Sequence, residues 1–199
     1  MLASWSLSAQ EQRSLIAEDS AVALYQQGRF GEAERKFRAA VVMCRDSLGP
    51  EHADTLANRN NLANTLNALG RSADAETEHR DVLAIRERVL GAEHPETLAS
   101  RSNLATALQS QGRSLEAEKE YRTVLAVRER LLGPDHTEVL RTCYALALSL
   151  EAQSRRDEAA TFAMRAASGW KRALGQDHPM TVRAETARRR ILSGEESPH

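Results

Sequence analysis

Four histidines, His52, His94, His136 and His178, recur every 42 residues, each directly after an acid: Glu51, Glu93, Asp135 and Asp177. Imidazole beside carboxylate is the donor set of a zinc site and of general acid–base catalysis. The spacing argues against both. Residues repeating at a fixed interval of this size occupy equivalent places in stacked structural units, about one unit apart. They cannot converge on one ion at ~2.1 Å. The expectation is no metal and no cofactor, with each histidine fixing the turn between two units. His79 stands outside the series, at the aromatic position that Phe37 and Tyr121 also occupy, and reads as a packed side chain. No Gly-rich phosphate loop, Gly-x-Ser-x-Gly, His-Glu-x-x-His or Cys-x-x-Cys is present, so no catalytic residue is assigned and the chain is expected not to be an enzyme.

The elements that carry these histidines follow from the same period. Leu48-Gly49-x-Glu51-His52 returns at Leu90, Leu132 and Leu174, and Gly28-Arg29 returns at Gly70-Arg71 and Gly112-Arg113, decaying to Ser154-Arg155. Laid on Leu90–Leu131 without a gap, Leu48–Val89 is identical at 25 of 42 positions. Within that repeat Leu56, Leu62, Ala63, Leu66 and Leu69 recur at steps of three and four, and Ala75, Val82, Leu83, Ile85 and Val89 do so beyond Gly70. Each repeat is thus two amphipathic helices, A and B. Gly70 ends helix A as a left-handed cap, and Ser72 or Asp74 starts helix B by accepting from free backbone N–H groups. Gly49, Gly91, Gly133 and Gly175 are expected to end helix B in the same way, with Pro95 and Pro179 opening the next helix.

The predicted helices are 10–27, 31–48, 53–69, 73–90, 95–111, 115–132, 137–153, 157–174 and 179–193, an all-α chain of about nine antiparallel helices. Its expected organisation is an N-terminal tail at 1–9, one repeat domain at 10–192 and a C-terminal tail at 194–199. The repeats are 10–48, 53–90, 95–132 and 137–174, with a polar capping helix at 179–193. Ala33, Ala75, Ala117 and Ala159 hold one phase of every helix B, where a small side chain lets two backbones approach.

The motif Gly-Arg-x-x-Glu/Asp-Ala-Glu, as in Gly112-Arg113-Ser114-Leu115-Glu116-Ala117-Glu118, resembles the core of the tetratricopeptide repeat (TPR), whose glycine ends helix A and whose alanine packs helix B against it. Repeats of 42 rather than 34 residues, the Leu-Gly-x-Glu/Asp-His linker, and Asn61-Leu62-Ala63 and Asn103-Leu104-Ala105 in helix A resemble the kinesin light chain type, over about residues 14–192. The chain looks bacterial. The resemblance implies a right-handed TPR superhelix, an α-solenoid whose A helices line a concave groove. It also implies an adaptor that binds a protein or peptide, with a tubulin-like cytoskeletal filament as the specific partner.

On that resemblance the groove positions are Asn60, Asn61, Asn64 and Asn67, then Ser102, Asn103, Thr106 and Gln109, then Arg141 and Tyr144. Asparagine is a poor helix former, yet its amide both donates and accepts, as gripping the backbone of an extended peptide requires. The alternative is that the amides bond one another or solvate the face. Arg59 and Arg101 either reach the rim of this stripe or pair along their own helix. Glu18 and Asp19 make the first end of the groove acidic.

Composition narrows the partners. The chain has 199 residues, 41% hydrophobic and 28% charged, with Lys+Arg 27 against Asp+Glu 28 and a net charge of −1, so its bulk electrostatics favours neither nucleic acid nor acidic ligands. Cys44 and Cys143 fall within helical patterns and read as buried thiols of a reducing compartment. No apolar run reaches about 18 residues and no secretory leader is apparent, which points to a cytoplasmic protein. A peripheral membrane linker is a further reading, with Trp5 and the Arg188, Arg189, Arg190 face as contacts. A peptide-sensing regulator is another.

Overall fold

The computed structural model describes residues 20–194, and all regular structure among them is helical. α1 covers the helical residues 20–26. It is followed by α2 (Phe30–Leu48), α3 (Ala53–Ala68), α4 (Ser72–Leu90), α5 (Pro95–Ser110), α6 (Ser114–Leu132), α7 (Thr137–Ala152), α8 (Arg156–Leu174) and α9 (Pro179–Ser193). From α2 onward every limit falls within one residue of the expected one. Trp5, Glu18, Asp19, the 1–9 tail and the start of the first helix lie outside the described residues, as does the tail beyond Gly194.

Two compact units are present, one ending at Ala92 and one beginning at Glu93. In the first, α2 packs on α3 and α3 on α4; in the second, each helix from α5 to α8 packs on its successor. The core alanines of the periodic phase, Ala33, Ala75, Ala117 and Ala159, are fully buried, and Phe37, Val82, Val124 and Leu146 are among the large apolar side chains buried with them in the core. Burying a side chain of that size contributes roughly 1.5–3 kcal/mol.

Two kinds of glycine turn set the geometry. After each helix A the chain makes a Schellman turn: Gly70 (φ +78) donates to the Asn67 carbonyl and Arg71 to that of Leu66, at 3.0 and 2.9 Å. Ser154 makes the same turn at φ +60, so a side chain occupies a conformation that favours glycine. The turns after helix B differ from expectation. Gly133 has φ 84 and ψ 162, an extended positive-φ conformation rather than a left-handed helical cap. The expected starts of helix B also need correction. The N-cap of α4 is Arg71, with no side-chain cap; Ser72 is buried, and Asp74 accepts from the Arg71 guanidinium at 2.6 and 2.8 Å.

The histidines cap helix A. His52, His94, His136 and His178 each accept the backbone N–H two residues on, at 3.3, 3.2, 3.2 and 3.2 Å. Each thus satisfies one donor orphaned at a helix start. Thr55 and Thr181 tie the same corners by donating to the carbonyls of Gly49 and Gly175 at 2.8 Å.

Candidate protein-binding face

Many of the charges on these helices are paired internally. Arg88 pairs with Glu51, Arg130 with Glu93, and Arg172 with Asp135 at 2.5 Å, so the acids of the first three linker motifs are each tied to an arginine near the end of the following helix B. Arg71 spans from Asp74 to Glu34 of the preceding helix B, and Arg155 spans from Glu158 to Glu118. Burial alone would raise the Glu118 carboxyl, but hydrogen bonds from Arg122, Gln153 and Arg155 together hold it below its ordinary value. Arg59 neither pairs along α3 nor stands free at a rim. Its guanidinium reaches Glu78 (2.9 Å) and Asp81 (3.2 Å) on α4. Arg101 reaches Glu120 on α6 at 2.6 Å.

The amides of α3 are different. Asn60, Asn61, Asn64 and Asn67 are all half-exposed on one side of the helix. The Asn61 and Asn64 side chains have no hydrogen-bond partner among the described residues, so two donors and two acceptors face outward unused. A fifth asparagine, Asn58, is of another kind. It is fully buried, donating to the Asp54 carbonyl at 2.9 Å and lying 3.7 Å from Cys44 Sγ of α2. Only its one-residue offset from the stripe distinguishes it in the sequence.

In the second unit several polar groups at the corresponding positions have partners within the chain. On α5, Ser102 donates to the Leu98 carbonyl at 2.9 Å. The Thr106 hydroxyl lies 3.1 Å from the Ser102 carbonyl and 2.9 Å from the Tyr121 hydroxyl, while Asn103 and Gln109 are half-exposed. On α7, Tyr144 packs against Trp170 with ring centroids 5.8 Å apart, and Arg141 pairs with Glu138. Glu151, at the phase of Asn67, holds Arg190 through two bonds of 2.9 and 2.6 Å. Arg188 pairs with Glu185, leaving Arg189 as the exposed member of the arginine run.

The other titratable groups serve the core. His79 is buried and its Nδ1 has no hydrogen-bond partner; burial pushes the imidazole down to about 4. Tyr121 at the same phase is pushed up to about 12 by burial, partly offset by Thr106. Both cysteines are free and buried, and burial raises Cys143 to about 11, as befits an inert thiol. Arg128, whose role the sequence did not reveal, is buried against Thr142 (2.9 Å) and Glu138 (3.0 Å), and its desolvation lowers its pKa. No helix among the described residues is long and apolar enough to cross a membrane.

The tetratricopeptide repeat model matches residues 13–88, 59–119 and 96–172. No curated protein matches the chain. Among solved structures, a Podosopora anserina protein of the kinesin light chain type with nearly identical TPR-like repeats is 26% identical at a TM-score of 0.76, covering 94% of this chain and 88% of that one. BtubC (BKLC) from P. vanneervenii is 17% identical at a TM-score of 0.64, covering 97% and 95%. A Rap protein complexed with competence and sporulation factor is 14% identical at 0.72, covering 94% of this chain and 56% of that one. With helix pairs turned by glycine, packed through a periodic alanine and matched by the repeat model across most of its length, the chain belongs to the tetratricopeptide repeat family, and its repeats are similar to those of a kinesin light chain.

Proposed function

We propose that this protein is a non-enzymatic adaptor that holds an extended segment of another protein against the A-helix face of α3. The observation that carries this is the contrast between paired charges and unpaired amides. Arg59 and Arg71 are committed to acids of neighbouring helices, whereas Asn61 and Asn64 keep donors and acceptors unused on a half-exposed face. An amide pair of this kind suits a peptide backbone, whatever side chains it bears. On α5, in the second unit, Gln109 is a half-exposed amide of the same type. Arg141 and Tyr144 offer a more apolar and cationic face on α7.

The partner we put forward is a tubulin-like filament in a bacterial cytoplasm, on the likeness to the kinesin light chain-type protein and to BtubC. A peptide-sensing role is the second reading, favoured by the likeness to the Rap protein complexed with competence and sporulation factor. The membrane reading loses support, since Glu185 and Glu151 neutralise Arg188 and Arg190. Affinity capture with the wild type and with Asn61→Ala/Asn64→Ala, read by mass spectrometry, tests the proposal. Partners recovered by the wild type should be lost by a folded double variant. Equal recovery by both would move the site off α3.

A further inference from the structure

Where α2 packs on α3 and α6 on α7, a buried side chain of helix B meets a residue 14 positions later on the following helix A. Between α2 and α3 the pair is Cys44 and Asn58, with Sγ and Nδ2 3.7 Å apart. Between α6 and α7 it is Arg128 and Thr142, with Nη1 donating to Oγ1 at 2.9 Å. Both helix A members also donate to the carbonyl four residues back, Asn58 to Asp54 at 2.9 Å and Thr142 to Glu138 at 2.8 Å. The Arg128 guanidinium reaches the Glu138 carboxylate at 3.0 Å as well, so a buried cation is met by an acid and a hydroxyl.

In α8 and α9, which also pack together, the same three phases hold Trp170, Met180 and Ala184. Trp170 and Ala184 are buried, and the indole N–H has no hydrogen-bond partner among the described residues. α9 thus offers neither acid nor hydroxyl at the phases where α7 offers both, and helix B offers no cation. The three residues change together. Were α6 to pack on α9, the Arg128 guanidinium would be buried with Met180 and Ala184 at the phases of its acceptors, leaving a buried charge unmet. Were α8 to pack on α7, the indole would meet threonine in place of alanine and Glu138 would lose its cation.

We propose that these three phases are a seam code: the residue set on each helix B accepts only the matching set on the following helix A, so that repeats as alike as these pack in one order. The proposal goes beyond the α3 face and does not depend on it.

Urea unfolding of the full chain, followed by circular dichroism, tests it by moving whole sets. Arg128→Trp and, separately, Glu138→Met/Thr142→Ala should each raise the unfolding equilibrium constant about tenfold or more. The triple variant, which rebuilds the α8–α9 set between α6 and α7, should be more stable than the combined losses require by about tenfold. Arg128→Met, Thr142→Val and their combination form a milder cycle that does not depend on room for an indole. There the loss in the double variant should fall short of the combined single losses by about fivefold. Losses that simply combine in the milder cycle would overturn the proposal, as would a folded triple variant no more stable than Arg128→Trp alone.

Discussion

Helix α3 carries Asn60, Asn61, Asn64 and Asn67 at the phases where α7 has Tyr144, Ala145, Leu148 and Glu151. Both helices start from a histidine cap, end in a Schellman turn and bury leucine and alanine at the same phases: Leu56 and Leu140, Ala63 and Ala147, Leu66 and Leu150. Their partners diverge as their faces do. α3 meets α4 through the Arg59–Glu78 pair, whereas the corresponding phases of α7 and α8 hold Cys143 and Phe162. Trp170 is buried at the phase where α6 buries Arg128. The leucine and alanine positions that close helix A are kept between these two copies, while some buried helix B positions change. The outward-facing positions Asn60, Asn61, Asn64 and Asn67 are all reassigned in α7, and the proposed recognition by α3 rests on that contrast.

The largest test of this contrast is pH. α4 buries His79 at the phase where α8 has Ala163. The unfolded chain takes up a proton near 6.5, but the folded imidazole stays neutral down to about 4. The folded state therefore binds fewer protons between those values. Stability is undiminished above about pH 6.5 and declines as pH falls toward 4, by about 3 kcal/mol in total. His79→Phe, the residue at this phase in α2, should flatten that part of the profile in denaturant titrations from pH 4 to 7. An unchanged slope would assign the pH dependence to other groups.

Packing gives the next effect. Gly169 of α8 lies so close to Leu140 of α7 that an added Cβ would overlap the leucine methyls, whereas Ile85 and Val127 stand at this phase in α4 and α6. Gly169→Ala should cost about 1–3 kcal/mol, and Ala75→Leu, at a fully buried position of α4, should cost a similar amount. Thermal melts check both. A neutral result at Gly169 would mean that α7 and α8 can separate without loss.

Two smaller effects bear on what the repeats share. His136→Ala should cost about 1 kcal/mol through loss of the cap on α7, and His136→Asn should recover most of it. Ser154→Gly should gain about 0.5–1 kcal/mol by relieving the positive φ, with the fourth repeat then matching the others. Melting temperatures of the single variants decide both. No gain at Ser154 would show that the turn is unstrained.

Element positions were legible in the sequence because period, glycine and apolar phase all agree at each helix end, so every described limit could be placed to within a residue. Conformation was less so. Glycine at 49, 91, 133 and 175 signals positive φ but does not say which positive-φ basin, and the cap at Arg71 rests on backbone geometry that residue type does not encode. The candidate face was legible by residue type alone. Whether a polar residue is available depends on pairing, and Arg59 finds Glu78 on a different helix, beyond the reach of same-helix charge rules.

The central claim is that α3 grips a partner's backbone through Asn61 and Asn64. Its most direct test is calorimetric titration with an extended peptide selected on the wild-type protein from a random display library. Alanine substitutions along the peptide should be tolerated, N-methylation of its contacting amide should abolish binding, and Asn61→Ala/Asn64→Ala should weaken affinity tenfold or more. The melting temperature should not fall, since alanine is the better helix former at both positions. Undiminished affinity in a folded double variant, or indifference to N-methylation, would contradict the account.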